Sequence, residues 1–227
     1  MKGYFITGTD TGVGKTWMAA ALLHALAAQG RRVAGLKPLA CGGHLTRDGW
    51  RHEDAELLMQ QASVSLPYEE VNPFLLQAPI APHIAACQAG LQLSAARLHR
   101  ACTAVEEKVD YLLVEGIGGW EVPINENETT AHFAHLLGLP VILVVGIRLG
   151  CLNHALLTCD AILRHKLTLA GWIANIIDPD TLMIPENIAA LEQRLPAPRL
   201  GTIPRLPHLD VARIASLLNA DRILLSD

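Results

Sequence analysis

The sequence predicts an α/β protein in three layers, a mostly parallel sheet with helices on both faces. Three observations carry that expectation. Apolar runs and helix-like runs alternate along all 227 residues. The apolar runs at 111–114 and 141–145 are continuous rather than alternating, as in strands covered on both sides. The first apolar run leads through a glycine loop into a helix-like run, the strand–loop–helix unit that holds phosphate. No repeat, low-complexity stretch or linker divides the chain, so a single domain over 1–227 is expected.

In chain order, Tyr4, Phe5 and Ile6 belong to the first strand, about 4–7. The helix after the glycine loop spans about 15–29, and Gly30 stops it. Residues 32–36 read as the second strand, ending at Lys37-Pro38. A polar loop over 41–51 leads to a short helix beginning at Asp54, and 67–82 is proline-rich and irregular. Residues 94–108 read as one amphipathic helix with Ser94 as its N-cap. The strand at 111–114 ends in Glu115 and the run Gly116-Ile117-Gly118-Gly119. After it come a helix at 129–137, the strand at 141–145 and a helix at 153–165. A strand at 169–177, a helix at 185–195, a strand at 199–203 and a helix at 210–218 complete the chain. In parallel sheets ligands sit at the carboxyl ends of the strands. That rule points to Lys37, Glu115, residues 146–150 and Asn175.

Composition narrows the class. Hydrophobic residues are 51% and charged ones 18%, which marks a chain with a large core. A net charge of −4 argues against a general nucleic-acid binder but leaves small anionic substrates open. The five cysteines, Cys41, Cys87, Cys102, Cys151 and Cys159, are odd in number and form no C-x-x-C pair. That argues against a disulfide framework or zinc site and suits a reducing cytoplasm. The chain enters the glycine loop without room for a signal peptide. The longest apolar run, 136–147, is interrupted by Pro140 and is too short to span a membrane. A cytoplasmic protein is expected.

The glycine loop is Gly8-Thr9-Asp10-Thr11-Gly12-Val13-Gly14-Lys15-Thr16. Its glycines free backbone N–H groups to turn toward phosphate oxygens, and the helix start favours the same anion. Lys15 suits the β- and γ-phosphates, and the Thr16 hydroxyl suits Mg²⁺. Five residues separate Gly8 from Gly14, one more than the usual pattern. Glu115, ending a buried strand, is either a Mg²⁺ carboxylate or a loop cap. Asp54 reads on its own as an ordinary acid at a helix start. Pro38 keeps Lys37 extended at its strand end, where it either meets the γ-phosphate or lies solvated. Residues 146–153 end a strand and start a helix, a second anion site or a tight turn capped by Asn153. The Asn175 amide suits a base edge. His132 and His135 lie three apart on a helix without a third ligand in register, so a surface pair is expected. Cys41 reads as a substrate-lining residue.

Taken together, the stretches resemble the dethiobiotin synthetases. They are 8–16, Gly35-Leu36-Lys37-Pro38, Val114-Glu115-Gly116-Ile117-Gly118-Gly119-Trp120, Leu143 to His154, and Leu169-Ala170-Gly171-Trp172-Ile173-Ala174-Asn175. The longer glycine loop is part of that likeness. The resemblance implies a P-loop NTPase-like fold and an ATP-dependent, Mg²⁺-requiring ligase that converts 7,8-diaminononanoate and CO₂ to dethiobiotin. It implies that Lys15 and Lys37 act on the γ-phosphate and that Thr16, Asp54 and Glu115 hold Mg²⁺. Thr11, Gly12, Val13, Gly14 and Trp17 would line the triphosphate, with Gly116 and Gly118 beside them. Asn175 would read adenine next to Ile176, with Pro204, Arg205 and Leu206 closing over the base. Thr11, Lys37 and Cys41 would face the diamine. Gly150, Cys151, Leu152 and Asn153 would bind its carboxylate from the partner subunit of a homodimer. Cys41 stands where relatives commonly have serine, and Gly12 where some have glutamate. Two other readings remain. One is a switch or partitioning ATPase, which often has another lysine early in the loop, where this chain has Thr9, Asp10 and Thr11. The other is a corrin-ring amidotransferase, which usually needs a glutaminase domain.

Overall fold

The computed structural model describes residues 2–223. β1 (Gly3–Gly8) runs into the glycine loop and α1 (Lys15–Ala28). β2 (Val33–Leu36), β3 (Leu39–Cys41), β4 (His44–Thr46) and β5 (Gly49–Arg51) follow, then α2 (Glu53–Gln61) and α3 (Tyr68–Val71). Next come β6 (Phe74–Leu76), α4 (Pro82–Gln88) and α5 (Ala95–Thr103). The rest alternates: β7 (Tyr111–Glu115), α6 (Thr130–Leu137), β8 (Val141–Ile147), α7 (Cys151–Arg164), β9 (Leu169–Ile176), α8 (Ile184–Glu192), β10 (Arg199–Ile203) and α9 (Val211–Ser216).

Six strands form the central sheet in the order β10-β9-β8-β1-β7-β2, and every neighbouring pair is parallel. The two-residue period of a strand divides its side chains between the two layers. Tyr4 and Ile6 of β1, Tyr111 and Leu113 of β7, and Ile142 and Val144 of β8 pack with α1 and α9. Phe5, Leu112, Val114, Leu143 and Val145 face the other way, toward α5, α6 and α7. The continuous apolar runs are thus strands buried on both faces. α1 is enclosed on nearly every side, with Met18 through Leu23 fully buried. β1 sits between β7 and β8, so the glycine loop leaves the sheet centre.

The structure corrects three readings. The amphipathic stretch 94–108 is not one helix. Ser94 does cap it, accepting the Arg97 N–H at 3.2 Å. The α-helix ends at Thr103, and Val105, its side chain buried, leads into a separate 3₁₀ turn, Glu106–Lys108. The polar loop 41–51 contains a hairpin, β4 against β5, turning at Arg47-Asp48. The irregular stretch 67–82 contains α3 and β6, and β6 pairs in parallel with β3 as a separate two-stranded unit.

Candidate active site

A cleft of ≈ 840 Å³ opens at the carboxyl ends of the central strands. The glycine loop forms its floor through Thr11, Gly12, Gly14, Lys15, Thr16 and Trp17. Gly14 is the N-cap of α1 at φ 91°, ψ 24°, a left-handed geometry that costs side chains energy. A Cβ on Gly14 would also stand 2.4 Å from Asn175 Nδ2, so space excludes it independently. Val13 lies buried under the loop rather than in the cleft. Asn175 Nδ2 donates to the Val13 carbonyl at 2.8 Å and so ties β9 to the loop with one of its two amide hydrogens.

Lys15 is buried and donates to the Asp10 carbonyl at 2.9 Å. Burial, with the nearby Lys37 charge, pulls its pKa down to about 8, against Glu115, Asp54 and Asp10. Thr11 N–H donates to Asp10 Oδ1, and Arg148 pairs with Asp10 Oδ2 at 2.6 Å. The front of the loop is thereby fastened to the turn after β8.

The densest chemistry lies beside Thr16. Glu115 Oε1 accepts from the Thr16 hydroxyl at 2.8 Å and from Lys37 Nζ at 2.6 Å. Lys37 Nζ also lies 2.7 Å from Asp54 Oδ2 and 3.2 Å from the Gly116 carbonyl. Burial works to lower the Lys37 pKa, but Glu115 and Asp54 outweigh it and hold the ammonium charged. Burial likewise works to raise Asp54; the Lys37 ammonium, His52 and the Thr16 hydroxyl outweigh it and leave the carboxyl below its ordinary value. Glu115 is 1% exposed, and its Oε2 has no hydrogen-bond partner. Such an orphaned carboxylate oxygen is costly unless a ligand supplies the missing interaction. Cys41 lines the cleft, and burial pushes its thiol up to about 11. A thiol kept protonated at neutral pH is a poor nucleophile.

Ile176, Pro204, Arg205 and Leu206 line the other end. Arg205 Nη1 donates to the Ile177 carbonyl at 2.5 Å, linking the chain after β10 to the end of β9. Gly118 lines the cleft and Gly116 meets it through Lys37. Gly150, Cys151, Leu152 and Asn153 do not line this cleft. They start α7, with Gly150 at φ 92°, Cys151 in the core and Leu149 beside them 96% exposed. His132 and His135 are both exposed, where His132 Nδ1 accepts from the Thr129 N–H and His135 Nδ1 meets the His165 carbonyl.

Sequence reasoning missed His52, Ile117, Ile177 and Leu209, all of which line the cleft. His52 had no clear signal, because histidine is not among the favoured caps, yet it caps α2 by accepting the Asp54 N–H at 3.2 Å. The Arg148–Asp10 pair spans 138 residues and has no local signature.

A glycine loop at the centre of a parallel sheet, with a lysine, a hydroxyl and two carboxylates converging at its end, defines a phosphate-loop nucleotide enzyme. Residues 2–213 match a family described as an AAA domain. The MinD cell division protein of Aquifex aeolicus superimposes with a TM-score of 0.58, covering 98% of this chain and 95% of that one. At 18% identity, that likeness is one of fold. The sequence relatives are closer. An ATP-dependent dethiobiotin synthetase BioD of Pseudomonas paraeruginosa is 52% identical over 96% of both chains. One of Cellvibrio japonicus is 53% identical over 90% of both. The chain belongs to the ATP-dependent dethiobiotin synthetase family.

Proposed function

We propose that this protein catalyses the ATP-dependent carboxylation and ring closure of 7,8-diaminononanoate, giving dethiobiotin, ADP and phosphate in biotin biosynthesis. The observation that carries the reading is the Lys37 ammonium, buried beside Thr16 and paired with both Asp54 and Glu115 at the closed end of the nucleotide cleft. That is where a γ-phosphoryl would lie if the glycine loop held the rest of the triphosphate.

One amine of the substrate adds to CO₂ and loses a proton, giving a carbamate. A carbamate oxygen attacks the γ-phosphorus and ADP leaves, forming a carbamic-phosphoric anhydride. The second amine attacks the carbonyl carbon, the bond from carbon to the phosphate oxygen breaks, and the ureido ring closes with loss of a proton. Lys15 and Lys37 stabilise charge on the phosphoryl oxygens as it transfers. The loop N–H groups and the cleft walls hold carbamate and phosphate in line. Asn175 and the chain from Pro204 to Leu206 hold the adenine.

Thr16, Asp54 and Glu115 would hold Mg²⁺. The fit is chemical: all three offer hard oxygen donors, and the buried Glu115 Oε2 awaits a partner. Among the described residues no three His, Cys, Asp or Glu side chains cluster as a complete metal cage. Mg²⁺ characteristically keeps waters and takes one or two carboxylates plus substrate phosphate. When bound it would neutralise charge on the β- and γ-phosphates. No described helix is long and apolar enough to cross a membrane, and the reading places the enzyme in the cytoplasm. A homodimer supplies the α7 start, Gly150 to Asn153, to the substrate carboxylate of the other subunit.

Incubation with 7,8-diaminononanoate, bicarbonate and Mg-ATP tests the reading. Dethiobiotin and phosphate should form one for one. Nucleotide turnover that ignores the diamine would contradict it.

A further inference from the structure

The position of Lys37 is not set by its strand alone. β2 is the outermost strand on its side of the sheet, and its last residue, Leu36, is paired with Val114. Beyond that point Lys37 is held from outside the sheet by a segment carrying no recognised motif. Lys37 N–H donates to the Val71 carbonyl at 2.9 Å, and Phe74 N–H donates to the Pro38 carbonyl at 3.2 Å. Between these, the Lys37 carbonyl accepts from Asn72 Nδ2 at 2.5 Å. Asn72 is 4% exposed, one of the few buried polar side chains in the described residues.

The contacts around Asn72 permit one arrangement of protons. A carbonyl oxygen only accepts, so the Asn72 amide nitrogen faces Lys37 and its oxygen faces away. That oxygen, Oδ1, lies 3.0 Å from the Tyr68 hydroxyl, which must donate to it. The same hydroxyl accepts the His52 N–H at 2.7 Å. His52 is the cap of α2, and its ring accepts the N–H of Asp54, the carboxylate that pairs with Lys37. The backbone of the lysine is therefore joined to the helix start bearing its counter-ion through Asn72, Tyr68 and His52.

We propose that Asn72, acting through Tyr68, is a positioning residue for Lys37. It fixes the separation between the β2 end and the α2 start, so that the ammonium is aimed at the closed end of the cleft. The role rests on the function proposed above, because only phosphoryl transfer asks Lys37 to be placed this accurately. Loss of one such buried hydrogen bond is worth about a tenfold effect.

The test uses Asn72→Ala and Tyr68→Phe, the second keeping the ring while cutting the same link. In the free protein, competitive labelling with isotopic acetic anhydride, read by mass spectrometry, compares Lys37 with exposed Lys166. Labelling of Lys37 should rise several-fold in both variants; unchanged labelling in both overturns the proposal. In turnover, kcat should fall about tenfold for Asn72→Ala, and less for Tyr68→Phe, with KM for ATP within about twofold. In a Lys37→Ala background the Asn72→Ala change should cost nothing further. The same factor lost in both backgrounds would show that Asn72 acts elsewhere and overturn the proposal. If Asn72→Ala does not fold, Tyr68→Phe decides by the same readouts. If the unmodified protein forms no dethiobiotin, the functional reading fails, and the labelling arm still decides the brace.

Discussion

Lys37 directs its ammonium at three acceptors, Asp54 Oδ2, Glu115 Oε1 and the Gly116 carbonyl. At 3% exposure such a charge is tolerable only because every hydrogen has a partner. A cation held this way stays protonated and in place, as a group that meets a developing phosphoryl charge must. Lys37→Ala should lower kcat by about 10²–10³-fold. Nucleotide affinity, measured by calorimetry, should stay within about threefold, because the contact matters most in the transition state. An equal loss of nucleotide affinity would mean that Lys37 belongs to ground-state binding. The strand-end rule picked out Lys37 and Glu115, and the family resemblance added Asp54. The reason Asp54 matters was hidden from local pattern: it is a helix-start acid until the fold brings Lys37 to 2.7 Å. Asn72 and Tyr68 gave no signal at all, since their partners are set by tertiary approach and not by spacing.

At the scale of elements, caps and turns read well and helix length read poorly. Ser94 was legible as a cap because its side-chain oxygen takes an N–H that the first turn leaves unpaired. Ser94→Ala should cost about 1 kcal/mol of stability, measured by denaturant unfolding. A change below a few tenths would show that the Glu128 carboxylate, which accepts the Ala95 N–H at 3.1 Å, already secures that end. The length of the same helix misled because Val105, past the end of the helix, continues the buried stripe of Leu98 and Cys102. Buried apolar periodicity reports the face that is covered, not the hydrogen bonds that continue. The central strands were legible for the converse reason, since a strand covered on both faces leaves an unbroken apolar run. β3 and β6 are three residues each and paired across 35 positions, Leu39 with Phe74, too short and distant for any local pattern.

For the whole molecule, the two halves of the proposed substrate site do not meet within one chain. The glycine loop, Lys37, Asp54 and Glu115 line the cleft, and the α7 start carrying Gly150 to Asn153 lies outside its lining. The homodimer reading joins them in trans. A Lys15→Ala protein and one carrying Asn153→Pro at the α7 start should each be inactive alone. Mixed and re-associated, they should regain about a quarter of the activity, the share of statistical pairing that rebuilds one intact site per heterodimer. No recovery, with mixed dimers demonstrated by mass spectrometry, would place the carboxylate site within a single subunit.

The central claim is that a carbamate oxygen attacks the γ-phosphorus. That oxygen must end on phosphate when the ring closes. The direct measurement supplies C¹⁸O₂ with 7,8-diaminononanoate and Mg-ATP, faster than label exchanges with water, and analyses both products by mass spectrometry. The account predicts one ¹⁸O in each phosphate and one in the ureido carbonyl of each dethiobiotin. Dethiobiotin carrying the label beside unlabelled phosphate would contradict it, because phosphate would then have left without passing through the carbamate.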